Sequence, residues 1–199
     1  MPTNRTNNPT LPSVDRVLGK LFTKLDSEEL LTLCTELTNI KVRHWRKGDI
    51  IYRHGDAVYE GVILSSGLIR VFDHQYDHEI NLRFLSDASI LVPFYGLTTN
   101  RPPYTASETA ECLSDCQGYS FELDWTASDS QWAEFLKLEI SLCHYRSVEN
   151  RLRTLHSTTA TQRYHSFLAT MPQRVVQEMP SFHIASYLGI RPETLSRIR

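Results

Sequence analysis

The chain has 199 residues, 41% apolar and 22% charged, which is the balance of a soluble globular protein and not of a disordered or fibrous one. Its longest apolar runs, such as Ile90-Leu91-Val92, fall far short of the ~20 residues that span a bilayer, so the expectation is a cytoplasmic protein with no membrane partner. Net charge is −2 but unevenly spread: from residue 151 onward seven Arg face only Glu178 and Glu193, a local +5, on a body of −7 that suits a phosphate-rich partner.

Met1 to Ser13 is rich in Asn, Thr and Pro and reads as a disordered arm, not a signal segment. Val14 to Leu37 reads as two short helices, with Val17, Leu18, Leu21 and Leu25 at helical steps. Asp26-Ser27-Glu28-Glu29 resembles a fresh helix start. From Ile40 to about Trp125 the pattern changes to short β-branched and aromatic runs. The expected strands are Lys41–Trp45, Ile50–Arg53, Gly61–Leu64, Leu68–Phe72, Glu79–Phe84, Thr105–Ala110 and Gln117–Glu122. Turn residues separate them at Lys47-Gly48-Asp49, His54-Gly55-Asp56 and Ser65-Ser66-Gly67. Short strands at this spacing predict a β-sandwich or jelly roll.

Gln131 to about His156 lacks Gly and Pro and predicts one long helix. Phe135, Leu138, Leu142, Tyr145 and Leu152 form one apolar stripe; Trp132, Leu136, Ile140 and Cys143 form another on an adjacent face. A helix with two apolar faces has two surfaces to cover, and the expectation is that one packs on the β domain while the other meets the same helix of a second subunit. Thr159 to about Thr170 predicts a further helix, ended by Met171-Pro172, with Gln173 to Pro180 as a linker.

The last nineteen residues, SFHIASYLGIRPETLSRIR, hold two short helical patterns around Gly189. Ile184, Ala185 and Leu188 share a face of the first; Leu195 and Ile198 share a face of the second. The spacing from Ala185 to Gly189 to Leu195 is that of a helix-turn-helix, whose second helix enters the DNA major groove. The second helix starts at Pro192 with Arg191 as a poor cap, a deficit that a bound phosphate would relieve. The chain stops at Arg199, about two turns into this helix, so it reads as a truncated regulator or as a reading helix frayed until DNA arrives.

Four cysteines (Cys34, Cys112, Cys116, Cys143) are expected as reduced thiols. In an extended segment Cys112 and Cys116 would stand ~13 Å apart, too far to share one ion, so neither a metal nor a cofactor is expected. His74 and His78 fall in a polar stretch that reads as a solvated hairpin. No His-x-His pair of the kind jelly-roll metalloenzymes use occurs in the chain, so it is not expected to be an enzyme.

The order of these elements resembles the Crp/Fnr family of bacterial transcription regulators over nearly the whole chain. The residues that carry the likeness are Ile184 to Ile190 and Pro192 to Arg197, supported by Lys47-Gly48-Asp49, Gly55-Asp56, Tyr59 and Ser66-Gly67. The resemblance implies an α+β protein: an N-terminal β jelly roll (a double-stranded β-helix) flanked by helices, a long dimerisation helix and a C-terminal helix-turn-helix. It divides the chain into a 1–13 arm, a 14–127 cyclic-nucleotide-binding-like sensor, a 128–157 dimerisation helix and a 158–199 DNA module. It also implies a homodimer on double-stranded DNA, with Glu193 and Arg197 facing bases and Arg191, Thr194 and Arg199 facing phosphates. Arg suits guanine and Glu suits cytosine.

Two departures from the family's pattern shape the expectations. Ile90-Leu91-Val92-Pro93-Phe94-Tyr95-Gly96 and Tyr104-Thr105-Ala106 occupy the nucleotide-pocket positions, and they lack the family's carboxylate and phosphate-binding Arg. Without that charge-assisted contact cAMP is not expected to bind. Pro93, Phe94, Tyr95, Tyr104 and Thr105 then line a degenerate pocket that is filled core or serves another small-molecule effector. The second departure is the short stretch 169–183, with Pro172 and Pro180, which leaves little or no room for the family's β-hairpin wing. The expectation is a sequence-specific DNA-binding regulator. The alternative is a ligand-sensing or protein-interaction module of the same fold without DNA binding.

Overall fold

The computed structural model describes residues 11–75, 78–93, 103–122 and 131–199. Two helices come first, α1 (Val14–Leu21) and α2 (Ser27–Glu36). The second starts on the carboxylate that precedes it. Asp26 Oδ1 accepts from the backbone N–H groups of Glu28 and Glu29, and Glu29 Oε2 accepts from Asp26 N, all at 2.9 Å. This reciprocal box satisfies donors that a first helical turn leaves open.

Ten strands follow among the described residues: β1 (Lys41–Trp45), β2 (Ile50–Tyr52), β3 (Ala57–Val58), β4 (Glu60–Ser66), β5 (Ile69–Gln75), β6 (His78–Leu85), β7 (Ser89–Leu91), β8 (Tyr104–Thr105), β9 (Thr109–Cys112) and β10 (Cys116–Glu122). They pair antiparallel in two four-stranded sheets, β1-β10-β4-β7 and β2-β9-β5-β6, with a small β3-β8 ribbon. Early strands pair with late ones, the wrapped path of a jelly roll. The two Gly-Asp breaks fold alike: Asp49 Oδ2 accepts from Arg46 N (2.7 Å), Asp56 Oδ2 accepts from Arg53 N (2.8 Å), and Gly48 and Gly55 sit at φ 89° and 88°. Only glycine holds that backbone without strain.

Val62, Leu64, Ile69, Val71 and Ala110 fill the inside of the roll. On the other side of the first sheet, Ile63, Tyr119 and Phe121 meet Leu18 and Leu33 of the first two helices and Leu136 of the long one. With both faces covered, β4 needs an unbroken apolar run, which is what Gly61–Leu64 supplies. Fully buried side chains such as Leu18, Leu33 and Leu136 (each 0% exposed) contribute about 1.5–3 kcal/mol apiece.

After the roll come α3 (Gln131–His156), α4 (Ala160–Thr170), α5 (Gln173–Glu178), α6 (Ser181–Leu188) and α7 (Pro192–Ile198). Thr159 caps α4, accepting from Gln162 N at 3.2 Å. Phe167, Val175, Tyr187, Leu188 and Leu195 form a third apolar cluster that includes Leu68 and Phe84 of the roll, so the C-terminal helices pack directly on the second sheet.

Several expectations are corrected. Residues 173–180 are not a plain linker: α5 forms there and buries Val175 beneath the other C-terminal helices. It leaves 169–183 without a strand. The expected strand Thr105–Ala110 splits into β8 and β9, and Ser89–Leu91 pairs with β4 although no strand was expected there. Cys112 and Cys116 are not joined by the unbroken extended segment that would set them ~13 Å apart, because residues 113–115 bend and both side chains enter the same buried cluster. Among the described residues no group of three metal-ligating side chains forms, and no helix is long and apolar enough to cross a membrane.

Candidate nucleic-acid interface and neighbouring cavity

α6 ends at Gly189, which takes the left-handed conformation (φ 61°, ψ 39°) that stops a helix and turns the chain. Ile190 N then donates back to Ala185 O at 3.0 Å. Arg163 of α4 locks the turn, its Nη1 donating to Leu188 O at 3.2 Å and its Nε to Ser157 O at 3.1 Å. A cation on the last carbonyls of a helix also suits the negative end of its dipole. Ala185 (1% exposed) and Leu195 (0%) sit in the angle between the two helices, where the small side chain lets them close.

On α7 the side chains of Glu193 and Arg197 are exposed, as is Arg191 at its N-cap; Thr194 is half-buried. Among the described residues Glu193 and Arg197 form no ion pair with each other. Arg191 makes no capping hydrogen bond. Arg199 is held differently, its Nη1 donating to Ser181 Oγ at 2.8 Å.

The outer face of the second sheet holds α6. β6 carries one residue more than β5 between the pairs Phe72↔Asn81 and Val71↔Arg83. The irregularity places both Asn81 and Phe84 on the outer face, and Leu82 and Arg83 on the inner one. Phe84 meets Tyr187 with ring centroids 5.2 Å apart. Asn81 N donates to Ser186 Oγ (3.1 Å), Ser186 Oγ donates to Glu79 O (3.0 Å), and Asn81 Nδ2 donates to His183 O (3.3 Å). Arg70 ties the edge together, pairing with Glu79 and Glu111 at 2.6 Å and approaching His183 Nδ1 at 3.3 Å. Burial and, secondarily, the Arg70 guanidinium push the His183 pKa down to about 4, so its ring stays neutral and accepts.

Along α3, Leu138, Tyr145, Val148 and Leu152 are 54–63% exposed and recur at steps of seven, three and four residues. Phe135 points elsewhere, packed against Phe22 (6.0 Å) and Trp132 (5.8 Å), and Leu142 is half-buried. The exposed stripe thus contains Val148, which the sequence reading did not include.

Of the expected pocket residues, Phe94 and Tyr95 lie outside the described residues. Pro93 is buried, Thr105 is exposed, and Tyr104 (2% exposed) is packed in the cluster with Val17 and Phe121. A cavity with a volume of about 360 Å³ lies between the inner face of β5–β6 and α3. Its polar centre is Arg83, whose Nη2 meets Glu108 Oε1 at 3.1 Å and Val92 O at 3.3 Å, and whose Nη1 lies 2.8–2.9 Å from the His144 ring nitrogens. Burial, with Arg83 adding to it, pushes the His144 pKa down to about 3. Sequence reasoning missed Arg83. Its signal was a cation inside the apolar run Ile80-Asn81-Leu82-Arg83-Phe84-Leu85.

No protein-family model matches the sequence, and no curated protein does. Solved structures do. FixK2 from Bradyrhizobium japonicum aligns with a TM-score of 0.68 at 19% identity, over 80% of this chain and 82% of its own. The c-di-GMP responsive global regulator CLP of Xanthomonas campestris aligns with a TM-score of 0.64 at 15% identity, over 87% of this chain and 89% of its own. A protein of Eubacterium rectale assigned to the crp/fnr family of transcriptional regulators gives 0.62 at 19%, over 89% and 83%. The chain has the α+β fold of the Crp/Fnr regulators, a cyclic-nucleotide-binding-like roll followed by a helical region.

Proposed function

We propose that this chain is a DNA-binding transcription regulator of Crp/Fnr type, acting on double-stranded DNA as a homodimer. In this reading residues 14–127 are the sensor, 128–157 the dimerisation helix and 158–199 the DNA module. The observation that carries it is α7, a short helix held at its apolar face by Leu195 and offering Arg191, Glu193 and Arg197 to solvent on the basic part of the chain. Arg197 and Glu193 face base edges, and Arg191 and Thr194 face phosphates. Arg199 takes its phosphate by leaving Ser181. The exposed stripe of α3, Leu138, Tyr145, Val148 and Leu152, supports pairing with a second copy.

The sensor in this reading does not use cAMP. Tyr104, where the family's phosphate-binding Arg is expected, is buried in a hydrophobic cluster, and the cavity's own Arg83 is already committed to Glu108. The reading is tested by selecting a binding site from random DNA and measuring affinity by fluorescence anisotropy. Arg197→Ala should cost about 1–3 kcal/mol of preference for the selected site while the salt-dependent non-specific binding stays near the parent value. Selectivity that survives the substitution removes α7 as the reading helix.

A further inference from the structure

Five apolar side chains line the cavity between β5–β6 and α3, Val71, Leu82, Leu155 and, on the exposed stripe of α3, Val148 and Leu152; its other six lining residues are polar or charged. Its charges do not cancel. Arg83 is offset by Glu108 at 3.1 Å, and His144 is held neutral by burial and by Arg83. That leaves Arg151, which reaches the cavity from α3. Its side chain is half-buried; among the described residues no carboxylate pairs with it, and its Nε has no hydrogen-bond partner. Among the described residues the guanidinium meets the Tyr187 ring of α6, whose centroid lies 5.6 Å from the guanidinium carbon. A half-buried cation with so weak a counterpart is a poor end state but a good receptor for an anion, since its desolvation has already been met by the fold.

We propose that this cavity binds a small monocarboxylate with an apolar body, its carboxylate received by Arg151. A water molecule occupies about 30 Å³ of liquid, so a volume of about 360 Å³ holds roughly a dozen non-hydrogen atoms. Arg83, Glu108, His144 and Ser107 are engaged with one another, so the base edges and ribose hydroxyls of a nucleotide find few open partners, which selects against it. An unbranched or arylalkyl acid leaves no such group unmet. The same Arg151 touches Tyr187, so the group that takes the anion also borders the first helix of the helix-turn-helix. The inference rests on the reading of the chain as a ligand-governed regulator, but binding is measured without DNA, so a failure here and a failure of DNA recognition are separate results.

The test is isothermal titration of the full chain with octanoate, with 1-octanol as the neutral counterpart and cAMP as the nucleotide arm. The expected result is one octanoate per chain, at least tenfold tighter than octanol, with no measurable cAMP binding. Arg151→Gln should abolish the preference for acid over alcohol, whereas Arg151→Lys, which keeps the charge, should retain most of it. Ser147→Phe fills the cavity from α3 and leaves Arg151 in place, and should remove octanoate binding. Equal affinity for octanol, cAMP binding tighter than octanoate, a preference that persists in Arg151→Gln, or binding untouched by Ser147→Phe each overturns the proposal.

Discussion

Replacing Arg83 by Met removes the centre of the buried polar group between the roll and α3. The guanidinium is 12% exposed and its partner Glu108 5%, at 3.1 Å, so the loss strands a carboxylate in the interior without its cation. Breaking a buried pair from one side costs about 3–5 kcal/mol. For a chain of this size each kcal/mol moves the unfolding midpoint by about 2–4 °C, so Arg83→Met should melt about 6–20 °C below the parent. The companion is Arg83→Met with Glu108→Met. With both charges gone and apolar side chains in their place, most of the loss should return, because the penalty belongs to the stranded charge and not to the missing contact. Differential scanning calorimetry on the three proteins reads both differences. A single variant that loses under about 1 kcal/mol, the value of a solvent-exposed pair, would refute the reasoning. So would a double variant no more stable than the single one.

Charging the exposed stripe of α3 with Tyr145→Glu and Leu152→Glu should shift the protein from dimer to monomer in sedimentation velocity and leave the far-ultraviolet circular dichroism unchanged, since both side chains are more than half exposed in the single chain. His144 and His183, at about 3 and about 4, both lie below the ordinary histidine value. The unfolded chain therefore binds protons that the folded one refuses, and stability present above pH 6.5 is lost as pH falls, by up to about 1.4 kcal/mol per unit for each ring. Urea titrations at pH 7.5 and 5 should show that loss, and His144→Gln should reduce it; a flat profile would contradict the buried neutral assignment.

What the sequence made legible was local. Asp26 and Glu29 announce a helix start because both halves of the cap lie within four residues. The Lys47-Gly48-Asp49 and His54-Gly55-Asp56 breaks announce turns because the Asp side chain closes on a backbone three residues back. Gly189 and Ala185 likewise mark the bend between α6 and α7 within five residues. The cavity was not legible, since Arg83 finds Glu108 25 residues away and His144 61 away, and nothing local distinguishes it from a misplaced surface charge. α5 escaped notice because six residues with two valines give no periodicity to count. The entry of Cys112 and Cys116 into one cluster depends on a bend at 113–115 that composition does not separate from strand. Among the effector residues drawn from the family's pattern, Tyr104 packs in the cluster with Val17 and Phe121, whereas the cavity's Arg83 stands two strands earlier, on β6.

The surplus residue in β6 has a consequence of its own. Asn81↔Phe72 and Arg83↔Val71 leave Leu82 unmatched, and from there the strand runs in the opposite phase. One sheet thus serves as a party wall, with Tyr187 and His183 of α6 as tenants on one side and the cavity as the room on the other, and no second layer lies between them. Without Leu82 the strand would alternate regularly, Asn81 and Arg83 opposite Phe72 and Val71, so what the surplus residue adds is a second consecutive side chain on the cavity side of the wall.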